Sequence, residues 1–200
     1  MKNCSLPRVG MTHDDYSRLL RRIQELQARK ERVIVAIDGR CGSGKTTLAA
    51  RLQRDLDCAV FHMDDFFLRP EQRTAERFAA PGENVDHERF LAEVLLPLHH
   101  AQPVTYRPFL CAQQQLGDPV TAAPRRLTIV EGAYACHPDL WAHYDLRVFL
   151  TIDPETQMQR IEARNGAAKA AQFRDRWIPF EEKYFSAFDV QTRCDMCING

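Results

Sequence analysis

The 200-residue chain has no long hydrophobic run and no excess of charge of either sign. No uncharged stretch approaches the roughly 20 apolar residues of a membrane-spanning helix, and the N-terminus has no apolar core of signal-peptide length. Lysine plus arginine number 27, as do aspartate plus glutamate, so the general attraction used by nucleic-acid and membrane-surface binders is absent. We therefore expect a cytoplasmic protein whose partner is neither a nucleic acid nor a membrane.

Cysteine is present, but not in the pattern of a disulfide framework. The seven cysteines are an odd number and lack the dense spacing typical of small secreted domains, so reduced thiols are expected. Cys194 and Cys197 form a lone C-x-x-C, and no second pair or nearby histidine completes a zinc ligand set. Because Cys194, Met196 and Ile198 alternate as on one face of a strand, we interpret the pair as structural.

The order of the apolar segments predicts one α/β domain. Short, nearly all-apolar runs, typical of parallel strands covered on both faces, lie at residues 32–38, 58–63, 127–130 and 146–152, before a last strand at the C-terminus. Helical patterns lie at residues 44–56, 87–100, 154–165 and 173–188. Because strands and helices alternate, we expect a doubly wound parallel sheet with right-handed crossovers.

Two segments lie outside this alternation. Residues 1–31 contain an amphipathic helix, in which Leu19 and Ile23 recur at helical spacing, and we expect it to pack on the domain formed by residues 32–200. Between residues 101 and 124 the composition shifts to Pro, Gln, Thr and Tyr. This composition favours a small hairpin over one end of the sheet.

The strongest motif in the chain is Gly-Arg-Cys-Gly-Ser-Gly-Lys-Thr, at residues 39–46. It matches G-x-x-x-x-G-K-[ST] at every fixed position and lies between a predicted strand and a predicted helix, as a phosphate-binding loop does. Its glycines permit backbone angles that turn N–H groups toward phosphate, and the following helix directs its positive end to the same anion. The predicted nucleotide-binding residues are Gly39, Cys41, Gly42, Ser43, Gly44, Lys45, Thr46 and Thr47.

The side chains predict a nucleoside triphosphate and Mg²⁺ as cofactors; ATP is the expected nucleotide, and the sequence does not distinguish it from GTP. Lys45 supplies a positive charge to the β and γ phosphates, Thr46 offers a hydroxyl to Mg²⁺, and Thr47 is placed for the α phosphate. Glu131 ends an apolar strand and is the expected second magnesium ligand, directly or through water. The D-x-x-G and N-K-x-D motifs of a signalling GTPase are absent. Cys41 is interpreted as a spacer with its side chain pointing away, in preference to an oxidation switch.

Paired carboxylates follow the second predicted strand, in Asp64-Asp65-Phe66-Phe67. The carboxyl edge of an open α/β sheet is where ligands bind. Phosphoryl transfer needs a group that accepts the proton of the attacking hydroxyl, and Asp64, first after the strand, is our candidate base. The two phenylalanines either stack a substrate ring or belong to the core, and the sequence favours neither interpretation.

The chain resembles the uridine kinase, phosphoribulokinase and pantothenate kinase group in four motifs, which occur in the same order and at compatible spacing. These are GRCGSGKTT at 39–47, DDFF at 64–67, NVDHERF at 84–90 and VEG at 130–132. The resemblance covers about residues 33–199. It implies a three-layer P-loop NTPase fold with a five-stranded parallel sheet, an acceptor-site insertion at about 101–124 and a short lid at about 164–180.

The resemblance also implies roles for residues of the acceptor site and the lid. Asp64 matches the catalytic base, and Asp86 matches the aspartate that binds the ribose hydroxyls of a nucleoside. Tyr106 resembles the tyrosine beside the nucleoside base, while Arg160 and Arg164 resemble lid arginines that touch the phosphates. The predicted catalytic residues are thus Asp64, Lys45 and Arg164, and the predicted substrate-binding residues are Asp64, Phe67, Asp86, Tyr106, Arg160 and Arg164.

The chain departs from its resemblance at the acceptor end. Uridine kinases carry a pyrimidine-reading histidine five residues after the tyrosine, where this chain has Cys111, and nicotinamide riboside kinases have a tyrosine in place of Val85. We expect an ATP- and Mg²⁺-dependent phosphotransferase acting on a hydroxyl of a small molecule, with a nucleoside as first choice. The alternatives are a nucleotide-binding regulator with little transferase activity, and a kinase for nicotinamide riboside or pantothenate.

Overall fold

The computed structural model describes residues 10–200. The strands are β1 (Val33–Gly39), β2 (Cys58–His62), β3 (Val104–Tyr106), β4 (Phe109–Leu110), β5 (Gln115–Leu116), β6 (Val120–Ala122), β7 (Leu127–Glu131), β8 (Leu146–Thr151) and β9 (Met196–Asn199). Five of them form an all-parallel sheet in the order β2-β7-β1-β8-β9. The expected five-stranded parallel sheet is confirmed.

The helices are α1 (His13–Gln27), α2 (Lys45–Asp55), α3 (Ala75–Ala79), α4 (His87–Phe90), α5 (Leu96–His99), α6 (Pro154–Asn165), α7 (Ala167–Gln172), α8 (Ile178–Ala187) and α9 (Val190–Arg193). Single π-helical turns join α4 to α5 and α7 to α8. Pro97 and Pro179 follow these turns. Because a proline ring clashes with the carbonyl four residues earlier in a regular α-helix, the wider turn accommodates it.

Helices cover both faces of the sheet, which gives the three layers that were expected. Alternate side chains of β1 point to opposite faces, since successive residues of a strand do so. Val35 and Ile37 pack with residues of α1 and α2, such as Leu19 and Leu52. Ala36, on the other face, belongs to a cluster with residues of α4 and α8.

The N-terminal helix is fixed at its start and on its inner face. Thr12 and Asp15 form a capping box, in which the Asp15 N–H donates to the Thr12 hydroxyl at 3.1 Å. Tyr16, Leu19 and Ile23 are buried, and the Tyr16 hydroxyl donates to Asp55 of α2 at 2.6 Å. Residues 1–9 of the predicted N-terminal segment lie outside the described residues.

The segment between β2 and β7 carries the hairpin that the composition predicted. β3 pairs with β6 and β4 with β5, both antiparallel. In β9, Met196 and Ile198 are buried and Cys197 is exposed, whereas Cys194 precedes the strand. The six cysteines within residues 10–200 are free. No helix in this part of the chain is long and apolar enough to cross a membrane.

Candidate active site

One cavity of about 940 Å³ lies at the carboxyl edge of the sheet. The glycine-rich loop after β1, Asp64 after β2 and Glu131 at the end of β7 all line it. These strands are parallel neighbours, so their carboxyl ends meet at the same edge. The tertiary structure therefore brings together three predicted features that are far apart in the sequence.

The glycine-rich loop has a backbone that side chains would obstruct. Gly39 has φ 133°, and a Cβ there would lie 2.0 Å from the Leu150 carbonyl oxygen. Gly44, at φ 96°, is the N-cap of α2, which begins at Lys45. Residues 41–47 line the cavity, so the first turn of α2 meets it with unpaired N–H groups and a positive dipole end.

Two side chains of the loop fit a phosphate ligand. Lys45 is 9% exposed, and its ammonium group donates to the carbonyls of Gly39 at 2.6 Å and Arg40 at 3.0 Å. The Ser43 hydroxyl is buried in the cavity wall and has no hydrogen-bond partner among the described residues. A buried hydroxyl without a partner is costly, so a phosphate oxygen bound there would satisfy it.

The predicted magnesium ligands lie side by side. The Thr46 hydroxyl is 3.2 and 3.3 Å from the two carboxylate oxygens of Glu131. Hydroxyl and carboxylate oxygens are the donors that Mg²⁺ prefers, so this pair fits the ion. His62, for which the sequence indicated no role, lies beside Glu131 in the β2–β7 register, with Nδ1 2.6 Å from the carboxylate. This hydrogen bond raises the pKa of His62.

Asp64 is exposed to the cavity directly after β2. Among residues 10–200 its carboxylate makes no hydrogen bond or ion pair, unlike the neighbouring Asp65, which accepts from Tyr106. Desolvation by the enclosing walls raises the pKa of Asp64, and the nearby Lys45 charge acts in the opposite direction. The predicted base is thus an available carboxylate within the same cavity as the loop.

The five other predicted substrate-binding residues divide into three that line the cavity and two that do not. Phe67, Arg160 and Arg164 line the cavity, and the two arginines lie one turn apart on α6. The Arg160 guanidinium donates to the Gly42 carbonyl at 3.2 Å, which connects α6 to the loop. Phe66, by contrast, is fully buried. Of the two phenylalanines after Asp65, Phe66 therefore belongs to the core and Phe67 to the cavity wall.

Asp86 and Tyr106 are not among the residues that line the cavity. Asp86 is 3% exposed and caps α4, where it accepts from the Arg89 N–H at 3.2 Å and from the Gln72 amide at 2.9 Å. The Tyr106 hydroxyl donates to Asp65 at 2.9 Å, and its ring stacks on the core. The structure therefore does not bring the predicted ribose-binding and base-adjacent residues to the candidate site.

The loop thiol is shielded. Cys41 is buried, and desolvation raises its pKa to about 12. A thiol in this environment stays protonated, and only the thiolate is reactive. The expectation that Cys41 acts as a spacer agrees with this environment.

The C-terminal segment contributes a carboxylate that the sequence did not indicate. Glu181 of α8 is 6% exposed, lines the cavity and accepts from the Cys41 N–H at 2.9 Å. Desolvation raises the pKa of Glu181 to about 7. Its neighbour Glu182 binds the Arg40 guanidinium through both oxygens, at 2.6 and 3.0 Å. Helix α8 therefore holds the glycine-rich loop through two carboxylates.

Asp38, at the end of β1, is a second residue without a predicted role. Its fully buried carboxylate accepts from the N–H groups of Gly39, Tyr134 and Cys136 at 2.6, 3.2 and 2.8 Å. It also accepts from the Tyr184 hydroxyl at 2.9 Å. The sequence could have indicated a structural role for Asp38, because an aspartate inside an otherwise apolar buried strand needs hydrogen-bond partners.

His87 and His137 form a pair that is not among the residues lining the cavity. Ligating atoms of Glu83, His87 and His137 fall within 4.8 Å of one another. The two imidazoles stack with centroids 3.9 Å apart and planes 16° from parallel. Because the lone pairs of stacked rings lie side by side and do not converge, one ion could not be coordinated by both without a rearrangement. We assign this cluster no metal.

No family model and no curated protein matches this chain. A candidate fructose transport system kinase from Silicibacter sp. TM1040 is 25% identical with TM-score 0.70, over 94% of this chain and 99% of that one. A candidate uridine kinase from Bacillus stearothermophilus is 23% identical with TM-score 0.62, over 90% and 98%.

A candidate P-loop kinase with a circular permutation, YFH7 from Saccharomyces cerevisiae, is 13% identical with TM-score 0.66, over 93% and 98%. These structures cover nearly the whole of this chain and nearly the whole of their own, so the likeness extends beyond the glycine-rich loop. The parallel sheet and the loop between β1 and α2 agree with it. The chain therefore has the fold of P-loop kinases, and a uridine kinase-like structure is among those it resembles.

Proposed function

We propose that the chain is an ATP- and Mg²⁺-dependent phosphotransferase that acts on a hydroxyl of a small molecule. The observation that supports it is the cavity that Lys45, Glu131 and Asp64 share. A protein that only binds a nucleotide needs the first two residues. The Asp64 carboxylate, which has no partner among residues 10–200, suits an acceptor hydroxyl, whose proton must be accepted during transfer.

Different residues of the cavity wall then have different roles in phosphoryl transfer. The N–H groups of Gly42 and of residues 44–47, together with the Lys45 ammonium, bind the phosphates. Thr46 and Glu131 hold Mg²⁺, which neutralises phosphate charge when it is bound. Arg160 and Arg164 supply further positive charge from α6, and Asp64 orients the acceptor hydroxyl and accepts its proton. Catalysis is then mostly positioning and charge stabilisation.

The acceptor is proposed here only as a small molecule with a hydroxyl. A nucleoside was the first choice from the sequence, through Asp86 and Tyr106. Both side chains are engaged away from the cavity, so the geometry does not support that choice over other acceptors. The expected cytoplasmic location and the absence of nucleic-acid and membrane partners stay predictions.

The test is ADP release from Mg·ATP with and without a panel of hydroxyl acceptors, alongside nucleotide binding by calorimetry. Lys45→Ala is expected to weaken ATP binding and abolish release. Asp64→Asn should keep ATP binding and lose acceptor-stimulated release by roughly 100-fold or more. Asp57→Asn changes an exposed aspartate away from the cavity and is the matched control.

Two outcomes would contradict parts of this proposed function. A near-normal rate in Asp64→Asn would remove the base assignment. Tight ATP binding with no stimulation by any acceptor would favour the nucleotide-binding regulator. Circular dichroism of each variant separates loss of function from loss of fold.

A further inference from the structure

Positive charge lines the cavity beyond the predicted phosphate-binding residues. Besides Lys45 and the α6 pair Arg160 and Arg164, the arginines Arg73 and Arg176 line the cavity. Neither belongs to the glycine-rich loop or to α6, and the sequence indicated no role for either. Their contacts within residues 10–200 show that both are cations without an acidic partner in this part of the chain.

Arg73 is held in place by neutral oxygens. Its Nε and Nη2 atoms both donate to the Leu68 carbonyl, at 3.0 and 2.8 Å, and its Nη1 donates to the Gln114 amide oxygen. Its guanidinium lies 5.4 Å from the centre of the Phe109 ring. It forms no ion pair with a carboxylate among residues 10–200. The group is therefore oriented while its charge is not neutralised, as in sites that bind an oxyanion.

Arg176 reaches the cavity among aromatic rings. Its guanidinium lies 4.6 Å from the Trp177 ring, 5.6 Å from Phe78 and 5.9 Å from Phe180. In the described part of the chain it also has no carboxylate within ion-pair distance, unlike the adjacent Arg174, which pairs with Asp175. Phe78 and Trp177 line the cavity with it, so apolar surface and positive charge occur together.

Within residues 10–200, the acidic side chains that line the cavity form no ion pair with Arg73 or Arg176. They are Asp64, Glu131 and Glu181. Glu131 contacts Thr46, and Glu181 contacts the Cys41 N–H, so both belong to the nucleotide half. Asp86, which would bind the hydroxyls of a neutral sugar, is engaged with Gln72 and the Arg89 N–H. A neutral polyhydroxy acceptor would thus meet two unpaired cations and few acceptors for its hydroxyls.

We propose that the acceptor carries an anionic group, a carboxylate or a phosphate, which Arg73 and Arg176 bind while Asp64 faces its hydroxyl. The proposal rests on the proposed phosphotransferase function and names its substrate class. In the reaction the acceptor oxygen forms a bond to the γ phosphorus of ATP, the bond from that phosphorus to the β–γ bridging oxygen breaks, and Asp64 takes the hydroxyl proton. The products are ADP and an acceptor with two anionic groups.

Binding tests the substrate class without turnover. The nucleotide site is saturated with Mg²⁺ and a non-hydrolysable ATP analogue, and inorganic phosphate is titrated by calorimetry. Wild type is expected to bind phosphate at a second site, and Arg73→Gln and Arg176→Gln to bind it at least about tenfold more weakly. Arg73→Lys should restore part of the loss because it keeps the charge. Equal binding by wild type and both Gln variants, or no binding by wild type, overturns the proposal.

Turnover then distinguishes a carboxylate from a phosphate with matched acceptors. The pairs are glycerate with glycerol, pantothenate with panthenol, and ribulose 5-phosphate with ribulose. The anionic member of at least one pair should be used at least tenfold more efficiently, with KM raised in Arg73→Gln and the KM for ATP unchanged. Arg125→Gln, an exposed arginine paired with Asp57, is the control.

The two proposals fail differently. Preferential use of the neutral members, or of nucleosides, refutes the anionic acceptor and leaves the phosphotransferase intact. Phosphate binding that depends on Arg73, together with no ADP release from any acceptor, supports the anion site and counts against the phosphotransferase.

Discussion

The carboxyl group of Glu181 should make the stability of this protein depend on pH. Glu181 lies beneath the glycine-rich loop, 6% exposed, and accepts from the Cys41 N–H. Desolvation raises its pKa from the ordinary 4.5 to about 7, the Asp38 carboxyl adds to the rise, and the Lys45 charge opposes it. The folded protein therefore holds this proton more tightly than the unfolded chain does.

The direction and size of the effect follow from linkage. Below pH 4.5 the group is protonated in both states, and its contribution to stability is fully present. As the pH rises toward about 7 the unfolded chain ionises freely, while the folded protein must ionise a buried group, so stability is lost. A shift of this size corresponds to about 3 kcal/mol, because each pKa unit is worth about 1.4 kcal/mol.

Glu181→Gln tests this prediction, since the amide oxygen can still accept from the Cys41 N–H and the residue no longer titrates. Urea unfolding of wild type and variant is compared at intervals from pH 4.5 to pH 8. The variant should gain about 3 kcal/mol relative to wild type across that range. Glu76→Gln, which removes an exposed carboxylate from α3, controls for the loss of one charge. Parallel pH profiles for wild type and Glu181→Gln would refute the reasoning.

Three further predictions concern stability and are checked by urea unfolding at pH 7. Gly39→Ala should cost about 3 kcal/mol or more, because its Cβ would lie 2.0 Å from the Leu150 carbonyl oxygen; a loss under 1 kcal/mol would show that the loop shifts freely. Asp38→Asn should cost about 2 kcal/mol, since the new amide N–H groups face N–H donors; unchanged stability would contradict this. Tyr16→Phe should cost about 1 kcal/mol through the lost bond to Asp55, and Asp55→Asn in the Phe background should then add little.

Much of the architecture could be predicted from local sequence patterns. The run at residues 33–39 is buried at every position, and such a run is recognisable because a strand covered on both faces has no polar side to alternate with. The glycine-rich loop was also readable, since its spacing, the preceding strand and the following helix all lie within one short stretch of chain. The π-helical turns before Pro97 and Pro179 could be suspected but not located, because a proline can equally end a helix or bend it.

The candidate site was also predictable only in part from the sequence. Asp64 and Glu131 could be placed at the site in advance, because each follows or ends a parallel strand and such ends meet at one edge. The position of Asp86 was not predictable, because its motif says nothing of the Gln72 amide that donates to it in the folded chain. Glu181 and Arg73 had no sequence signal, because a charged residue on a helix or loop is usually solvated.

The sequence by itself determined the sheet, the phosphate-binding loop and the class of ligand that the loop suits, because these depend on periodicity, glycine spacing and strand ends within short segments. Only the tertiary structure decided which carboxylates are available and which cations are unpaired. Cys41 and Glu181 are 140 residues apart, and Asp38 and Tyr184 are 146 apart. Pairing over such separations depends on how helices pack across the whole sheet, and it determines whether a charged side chain is neutralised in the wall or left to meet a ligand.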